Sequence, residues 1–434
     1  MKADLKRLLI HTVVLLAGSA LLGTVLLVLA FCIPTGPIRE HVNTSVDRML
    51  RPEEKYPENP FLRHIWQHKE SYTDSIMVQY AFEKIADKNA FEHAMWAYHY
   101  DLEDEIWAAE DSLRTVLADG EPSGMYLREY SRYWHGYLVY LKPLLLLFTW
   151  ENLVWLGAAL QLILFVLIVV LSIRKKQGGV ALAMACGLLL MKPELMVVSL
   201  TMSVCSLITL AAVLFLLCCS GWLEKKHFYP EFFLCIGILT AYFDFLTYPV
   251  VTLGFPLCVF FLLKGSRKVL ETVKLIVLYG LCWTVGYAGM WASKWVIADV
   301  TLGTGTIRDA VWNVIGRTEA IGGRPRMNGG FYVISLNFNE YDSVIYGVIA
   351  GGLILLTVLV LLWALARRVS VRSIIEVTAP YVLTAVIPFA WIVVVQHHSA
   401  LHARFTFRIL GVAAMAFACI CIQIYRTVKF HKNI

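Results

Sequence analysis

Residues 153–173 read LVWLGAALQLILFVLIVVLSI and contain no charged side chain. A helix needs about 20 mostly apolar residues to cross the hydrocarbon core of a bilayer. A second uncharged stretch of similar length runs from Val348 to Leu365. These two stretches predict transmembrane helices, and they decide the fold class.

The composition of the whole chain agrees with this prediction. Of its 434 residues, 58% are hydrophobic and 16% are charged, and the mean hydropathy is +0.64. Soluble domains carry about 25% charged residues. A transmembrane barrel would need alternating strands of about ten residues, and the sequence has no such pattern. We therefore predict an all-α, polytopic transmembrane protein.

The apolar pattern predicts about ten spans. The first follows Lys2, Lys6 and Arg7. It is too long for a secretory signal and predicts a retained signal-anchor helix in the segment 1–33. The predicted spans are 8–33, 151–173, 178–195, 197–219, 231–248, 249–263, 272–297, 343–366, 376–395 and 407–425.

Basic clusters follow the chain after even numbers of predicted spans, for example Arg174-Lys175-Lys176 after the second and Lys225-Lys226 after the fourth. The positive-inside rule assigns these clusters to the cytoplasm. This predicts a multi-pass cell-membrane protein with both termini cytoplasmic. Residues 34–150 then form a large exoplasmic loop, and residues 151–434 form a bundle of about nine spans with outer loops at 298–342 and 396–406.

The long loop is expected to contain helices that lie along the membrane surface. Residues 92–115 fit an amphipathic helix with Met95, Leu102, Ile106 and Leu113 on one face. The run 137–150 is too short for a span, and it predicts an interfacial helix. The ten cysteines all lie in or beside apolar segments, which argues against a disulfide scaffold and a thiolate metal cluster.

Basic residues in the predicted outer loops need an explanation, because basic residues are expected inside. Guanidinium groups bind phosphate oxygens in a bidentate manner, so such residues fit a site for a lipid-linked phosphate. They equally fit pairing with loop acids or with anionic lipid head groups. These residues are Arg308, Arg317, Arg324, Arg326, Arg404 and Arg408, with Lys142, Lys192 and Lys294 at further outer boundaries.

Asp74 lies in the string Ser71-Tyr72-Thr73-Asp74-Ser75 of the long loop. A carboxylate at a partly dehydrated interface can have a raised pKa and act as a general base toward a hydroxyl. An Asp in such a string is also a common helix cap. The sequence leaves both interpretations open.

Further polar residues lie in or near the spans. Asp244 and Tyr248 lie at the outer end of the fifth span, where an ionisable group predicts a functional site or a carboxylate bonded to neighbouring hydroxyls. His398 and His402 are an i, i+4 pair without an adjacent carboxylate, so no familiar zinc spacing is complete. The sequence supplies no certain cofactor and leaves a divalent metal open.

The layout resembles the GT-C superfamily of polytopic glycosyltransferases, which use polyprenyl-phosphate sugars. The shared features are a first span, a large outer loop with amphipathic helices and an acid, and further spans with short loops. The resemblance implies that Asp74 is the catalytic base. Unlike metal-dependent members, the chain has no second acid beside Asp74. The resemblance implies that the stretch from Arg132 to Tyr137, with Arg132 and His135, and the outer residues His398, His402, Arg404 and Arg408 line donor and acceptor cavities. The other candidate substrate-binding residues, chosen from their positions in the sequence, are Lys192, Asp244, Tyr248 and Lys294.

The resemblance implies inverting transfer of a sugar from a polyprenyl-phosphate donor to an extracytoplasmic glycan or lipid-linked acceptor. The expected partners are those substrates and membrane lipids, and no nucleic acid. The alternative is a lipid-linked oligosaccharide flippase or transporter, although no two matching halves are evident. A non-catalytic factor in envelope assembly is a third interpretation. No Walker loop or Gly-x-Ser-x-Gly elbow occurs, so ATP-driven and serine-hydrolase chemistries have no support.

Overall fold

The computed structural model describes residues 2–50, 64–65, 68–102, 109–119, 124–265, 267–321, 325–341 and 343–431. The first part of the chain contributes one long helix and the helices and strands of the large loop. In chain order these are α1 (Lys2–Phe31), α2 (Gly36–Met49), α3 (Tyr72–Phe82), α4 (Ala90–Trp96), β1 (Tyr98–Leu102), α5 (Ala109–Asp119), β2 (Met125–Glu129) and α6 (Leu138–Leu145).

The remaining elements are helical. The next group is α7 (Trp150–Arg174), α8 (Gly178–Leu189), α9 (Pro193–Met196), α10 (Leu200–Lys226), α11 (Tyr229–Phe243), α12 (Val251–Lys264) and α13 (Val269–Leu302). The last group is α14 (Thr306–Thr318), α15 (Arg326–Asn339), α16 (Val344–Ala366), α17 (Val371–Val394), α18 (Gln396–Leu401), α19 (Ala403–Thr406), a 3₁₀ turn (Phe407–Leu410) and α20 (Gly411–His431).

The prediction of a polytopic helical membrane protein is confirmed. Within the described residues, seven helices are long and apolar enough to cross a membrane, and three shorter apolar helices accompany them. The seven are Leu5–Phe31, Trp150–Arg174, Leu200–Lys226, Val269–Leu302, Val344–Ala366, Val371–Val394 and Ala403–Lys429. The shorter ones, Gly178–Leu189, Tyr229–Phe243 and Val251–Lys264, overlap the other three predicted spans. The number of spans and their orientation stay predictions.

The single amphipathic helix predicted over residues 92–115 is wrong. Helix α4 ends at Trp96, and Ala97 adopts a left-handed backbone with φ 54°. The chain then forms β1, which pairs antiparallel with β2 so that Tyr98 lies opposite Glu129. Aromatic residues favour strands, and the Tyr98-His99-Tyr100 stretch follows that preference. The described residues therefore include a two-stranded sheet that the all-α prediction did not contain.

Contacts between distant loops define the two ends of the bundle. We name the two ends by the predicted orientation of their loops. At the inner end, Arg426 donates to the side chain of Gln177 at 3.1 Å, and Arg7 donates to the carbonyl of His227 at 3.3 Å. At the outer end, the indole of Trp295 donates to the carbonyl of Arg132 at 2.8 Å. The predicted cytoplasmic loops thus meet at one end, and the predicted outer loops meet at the other.

Helices α11 and α13 pack closely through glycines. A Cβ atom at Gly237 would lie 2.1 Å from the carbonyl oxygen of Trp283, and one at Gly286 would lie 2.2 Å from that of Leu234. Small residues allow such close backbone approach between helices in membranes. This contact holds α13 in the position from which its outer end reaches the large loop.

Candidate anion-binding site

A cavity of about 260 Å³ lies at the outer end of the bundle. Its wall is assembled from four separate stretches of the chain: the large loop, the α11–α12 connection, helix α14 and the segment after α17. Its polar and charged members are Tyr72, Thr73, His99, Arg128, Tyr130, Arg132, Tyr133, Thr247, Arg317, His398 and His402, and its apolar members are Ile76, Phe245, Leu246 and Phe405.

The lining contains three arginines and, among the described residues, no carboxylate. Two of the arginines are paired with acids that stand behind the wall. Arg128 contacts Asp101 at 2.9 Å, and Arg132 contacts Asp309 at 2.5 Å. The buried Nε of Arg132 has no hydrogen-bond partner within the described part of the chain. The wall is therefore cationic, because its three arginines face the cavity while the acids that pair with two of them lie outside the lining.

Arg317 contributes a charge of a different kind. Its Nη1 donates to Nδ1 of His398, and Nε2 of His398 donates to the carbonyl of Leu246 at 2.9 Å. This arrangement requires the neutral imidazole with its proton on Nε2. The contact orients the guanidinium without neutralising it.

Arg317 also stands between two chambers. A second cavity of about 310 Å³ shares Arg317, His398 and His402 with the first and adds Trp312 and Asn313 to its wall. A guanidinium placed between two chambers can bind one anion from either side or bridge two groups of a larger ligand. The bidentate geometry of Arg suits phosphate oxygens.

The histidines of the wall are neutral near pH 7. Burial lowers the pKa of His402 to about 4, and Arg317 adds to this effect. Burial also lowers the pKa of His398 well below its usual value, as do the charges of His402 and Arg317. The pKa of His99 is lowered in the same direction, again chiefly by burial. The positive charge of the cavity therefore resides on its arginines.

Aromatic rings form a further part of the wall. The guanidinium carbon of Arg132 lies 4.7 Å from the ring centroid of Tyr130, and the rings of Tyr133 and Phe245 lie 5.8 Å apart. Burial raises the pKa of Tyr72 to about 12, so its hydroxyl stays protonated. Aromatic faces beside a few polar groups are typical of small-molecule sites.

Asp74 lies outside this lining, although its neighbours Tyr72 and Thr73 belong to it. Its carboxylate is fully buried and accepts hydrogen bonds from the first turn of α10: from the backbone N–H groups of Leu200 and Thr201, each at 2.9 Å, and from the Thr201 hydroxyl at 2.6 Å. Burial raises the pKa of Asp74 to about 6, against the opposing effect of these bonds. The contacts are those of a helix cap supplied by another element.

His135 and Asp244 support the cavity from behind. His135 has a left-handed backbone with φ 53°, and its ring Nε2 donates to the carbonyl of Tyr130 at 2.9 Å. Burial lowers the pKa of His135 to about 3. Asp244 accepts from the backbone N–H of Thr247 at 3.0 Å and from the Thr247 hydroxyl. Both residues hold the loops that carry wall residues.

Three other candidates form a separate buried cluster. The Lys192 ammonium and the Arg408 guanidinium both lie against the ring of Phe407, at 5.6 Å and 4.6 Å. The Tyr248 ring lies 5.9 Å from the guanidinium carbon of Arg408. Nη1 of Arg408 donates to the carbonyl of Arg404, whose own side chain is exposed.

Lys294 belongs to neither group. Its ammonium is fully buried, and it donates to the carbonyl of Ala94 at 2.6 Å. This bond joins α13 to the end of α4 in the large loop. The structure thus brings Arg132, His398 and His402 into one cavity wall, and it distributes the other candidates around it.

Several wall residues could not be selected from the sequence. Arg317 appeared among the outer basic residues without a specific role, and its position nine residues after Arg308 gave no sign of the contact with His398. The positions of Arg128 and His99 in the wall depend on the β1–β2 pairing, which no local sequence pattern predicted. Arg324 lies outside the described residues. Within the described part of the chain, no group of three or more His, Cys, Asp or Glu residues could hold a metal ion.

Comparison of the chain with protein-family models, curated proteins and solved structures finds no match.

Proposed function

We propose that the protein is an integral membrane glycosyltransferase that uses a polyprenyl-phosphate sugar as donor, with the phosphate bound in the outer cavity. The observation that carries this proposal is a wall with three arginines and, among the described residues, no carboxylate. Such a wall favours an anion over a neutral or cationic ligand. Aromatic rings beside the arginines offer faces on which a sugar can pack.

We expect the donor to be a lipid that reaches the cavity from the bilayer. The protein is a polytopic membrane protein, and the wall includes Phe405 next to the apolar stretch that begins at Ala403. A phosphate carried by a lipid would lie at this level while its chain stays in the hydrocarbon region. This agrees with the resemblance to the GT-C superfamily that the sequence suggested.

In the proposed reaction, the acceptor hydroxyl attacks the anomeric carbon of the donor sugar. The new carbon–oxygen bond forms as the bond from that carbon to the phosphate oxygen breaks, with inversion of configuration. The leaving phosphate takes the bonding electron pair, and Arg317 stabilises its added negative charge with Arg132. The acceptor proton passes to a base.

Asp74 is the candidate base, and its pKa of about 6 suits a group that accepts a proton near neutral pH. To act, its carboxylate would have to exchange the donors of Leu200 and Thr201 for the acceptor hydroxyl. Two roles therefore compete for one residue. They are separable, because a base affects turnover at temperatures at which the protein is fully folded, whereas a cap affects the melting temperature.

The proposal is tested with farnesyl phosphate linked to labelled hexoses and pentoses, added to the purified protein in vesicles that contain total membrane lipid and glycan as acceptors. We expect release of farnesyl phosphate by the wild type and loss of release in Arg317→Ala. Arg308→Ala is the matched control, because Arg308 is an exposed residue of the same helix and lies outside the cavity wall. Movement of the donor across the vesicle membrane without bond cleavage would instead favour a flippase.

A further inference from the structure

A second charged cavity, of about 630 Å³, lies at the inner end of the bundle, opposite the proposed active site. It is enclosed by the beginning of α1, the α10–α11 connection, the end of α12 and the first turns of α13. Three permanent cations line it: Arg7, Lys264 and Arg267. The proposed sugar transfer does not use this cavity.

The charges in this cavity do not balance. Lys264 pairs with Glu224, a largely exposed acid, and Glu231 pairs with His11, whose Nδ1 lies 2.8 Å from its carboxylate. Arg7 donates to the carbonyl of His227 and has no acidic partner among the described residues. Among the described residues of the lining, two carboxylates thus face three permanent cations, and one of these carboxylates already has a histidine partner.

Two guanidinium groups in this wall carry buried hydrogen-bond donors. The Nε atoms of Arg7 and Arg267 are both buried and have no hydrogen-bond partner among the residues that the structure describes. Leaving a buried donor of a charged group without a partner is costly. An anion with several oxygens would meet the charge of both guanidinium groups, and the side chains of Tyr229 and Tyr279 in the same wall offer further contacts.

The rim of the cavity is apolar and open to the surroundings of the helices. Leu5 on α1 is 59% exposed and Leu278 on α13 is 36% exposed, and both belong to the lining. In a membrane, such exposed leucines on spanning helices contact acyl chains. A ligand that fits both parts has an anionic head for the arginines and apolar chains for the leucines.

We propose that this cavity binds the phosphate head group of an anionic phospholipid from the leaflet at the inner end. Basic cavities between helices at the cytoplasmic side are suited to anionic head groups, and the positive-inside rule predicts that this end is cytoplasmic. The bound lipid joins α1 to α12 and α13. It therefore stabilises the position of α1 against the bundle.

The test uses the full-length protein in a neutral detergent, titrated with phosphatidylglycerol, with phosphatidylcholine as the neutral lipid. We expect phosphatidylglycerol to raise the melting temperature of the wild type and phosphatidylcholine to leave it unchanged. In Arg7→Gln/Arg267→Gln, the apparent Kd for phosphatidylglycerol should rise about tenfold. Lys225→Gln is the matched control, because Lys225 is an exposed cation at the same end and does not line the cavity.

A second variant keeps the test decisive if the double variant folds poorly. Glu224→Gln removes an acid from the wall, so it should lower the Kd for phosphatidylglycerol several-fold. Equal affinities of the wild type, Glu224→Gln and the double variant would overturn the proposal. Inorganic phosphate at the same concentration should have no effect, and an equal rise in melting temperature with inorganic phosphate would overturn the lipid as ligand.

Discussion

Nη1 of Arg317 donates to Nδ1 of His398, and this histidine in turn donates from Nε2 to the carbonyl of Leu246. A charged group is thereby fixed by a neutral ring, and its charge stays available to a ligand. The relationship links helix α14, the segment after α17 and the α11–α12 connection at a single point. If the cavity binds an anion as proposed, we expect this part of the wall to contribute most to the affinity.

Replacing Arg317 by alanine should weaken the binding of a polyprenyl phosphate at least tenfold, because a hydrogen bond to a charged group contributes about 1.5–3 kcal/mol. Arg317→Lys should recover only part of the affinity, since an ammonium lacks the planar fork. The measurement is titration with farnesyl phosphate, with Arg308→Ala as control. Equal affinities in all four proteins would show that the anion binds elsewhere.

Replacing His398 should act through Arg317. His398→Phe keeps a ring of similar size but removes the Nδ1 acceptor and the Nε2 donor, so it should weaken farnesyl phosphate binding about three- to tenfold. His64→Phe, a change in the large loop outside both cavity walls, should leave the affinity within twofold. If the double variant Arg317→Ala/His398→Phe binds much more weakly than Arg317→Ala, the two residues act independently and the orienting role is excluded.

Anion binding should change little between pH 8 and pH 5. The pKa values of His398 and His402 are lowered by burial, that of His402 to about 4, so neither ring gains charge in this range. A phosphodiester ligand does not titrate there either. The check is the Kd of a farnesyl phosphate sugar at four pH values. A rise in affinity of more than about threefold on acidification would indicate an imidazolium in the wall.

Asp74→Asn should lower the melting temperature, because the amide nitrogen cannot accept the hydrogen bonds that α10 donates to the carboxylate. A buried donor of α10 left without an acceptor costs about 1–3 kcal/mol. Asp87→Asn, at an exposed position of the same loop, is the control. A melting temperature equal to that of the wild type, together with lost turnover, would favour the catalytic role over the capping role.

The raised pKa of Asp74 also fixes the direction in which the stability difference between wild type and Asp74→Asn should change with pH. The folded pKa of Asp74 is about 6, above its ordinary value of 3.8. Its protonation therefore stabilises the fold fully below pH 3.8, and this contribution is lost as the pH rises through 6. The difference in stability between wild type and Asp74→Asn should narrow between pH 4 and pH 7. A difference that widens would mean that the pKa is lowered.

Gly286→Ala should lower the melting temperature, because the added Cβ would lie 2.2 Å from the carbonyl oxygen of Leu234. Overpacking of this kind costs about 1–3 kcal/mol. Gly280→Ala is a matched control on the same helix, since a Cβ at Gly280 would have no neighbour within 4 Å. Equal melting temperatures of both variants would contradict the close packing of α11 and α13.

The sequence predicted those parts of the fold that depend on local composition. Apolar stretches such as 153–173 gave the spanning helices, and the spacing of basic clusters grouped the loops that meet at each end. The β1–β2 pairing escaped, because Tyr98 and Glu129 lie far apart in sequence and their strands are short. Asp74 was singled out as an unusual carboxylate, but its partners in α10 are set by tertiary packing, which no local pattern reveals.

The residues of the cavity wall were likewise predictable from the sequence only in part. The arginines of the predicted outer loops were recognised as a class because basic residues are not expected on that side of the membrane. Which of them share a wall depends on how α14 and the segment after α17 pack against the large loop. Arg132, His398 and His402 proved to be neighbours, whereas Arg408 lies in a different cluster with Lys192.

Two contacts tie the large loop to the helical bundle: the carboxylate of Asp74 accepts from the first turn of α10, and the ammonium of Lys294 donates to the carbonyl of Ala94. They have a practical consequence for the isolation of residues 34–149 as a soluble ectodomain. Excision would leave the carboxylate of Asp74 without the hydrogen-bond donors of α10, and it would expose the apolar surface that packs against the long helices. Such a fragment should therefore aggregate. Antibodies and crystallisation chaperones for the folded form of this region therefore have to be raised against the intact membrane protein, and binding assays have to use it.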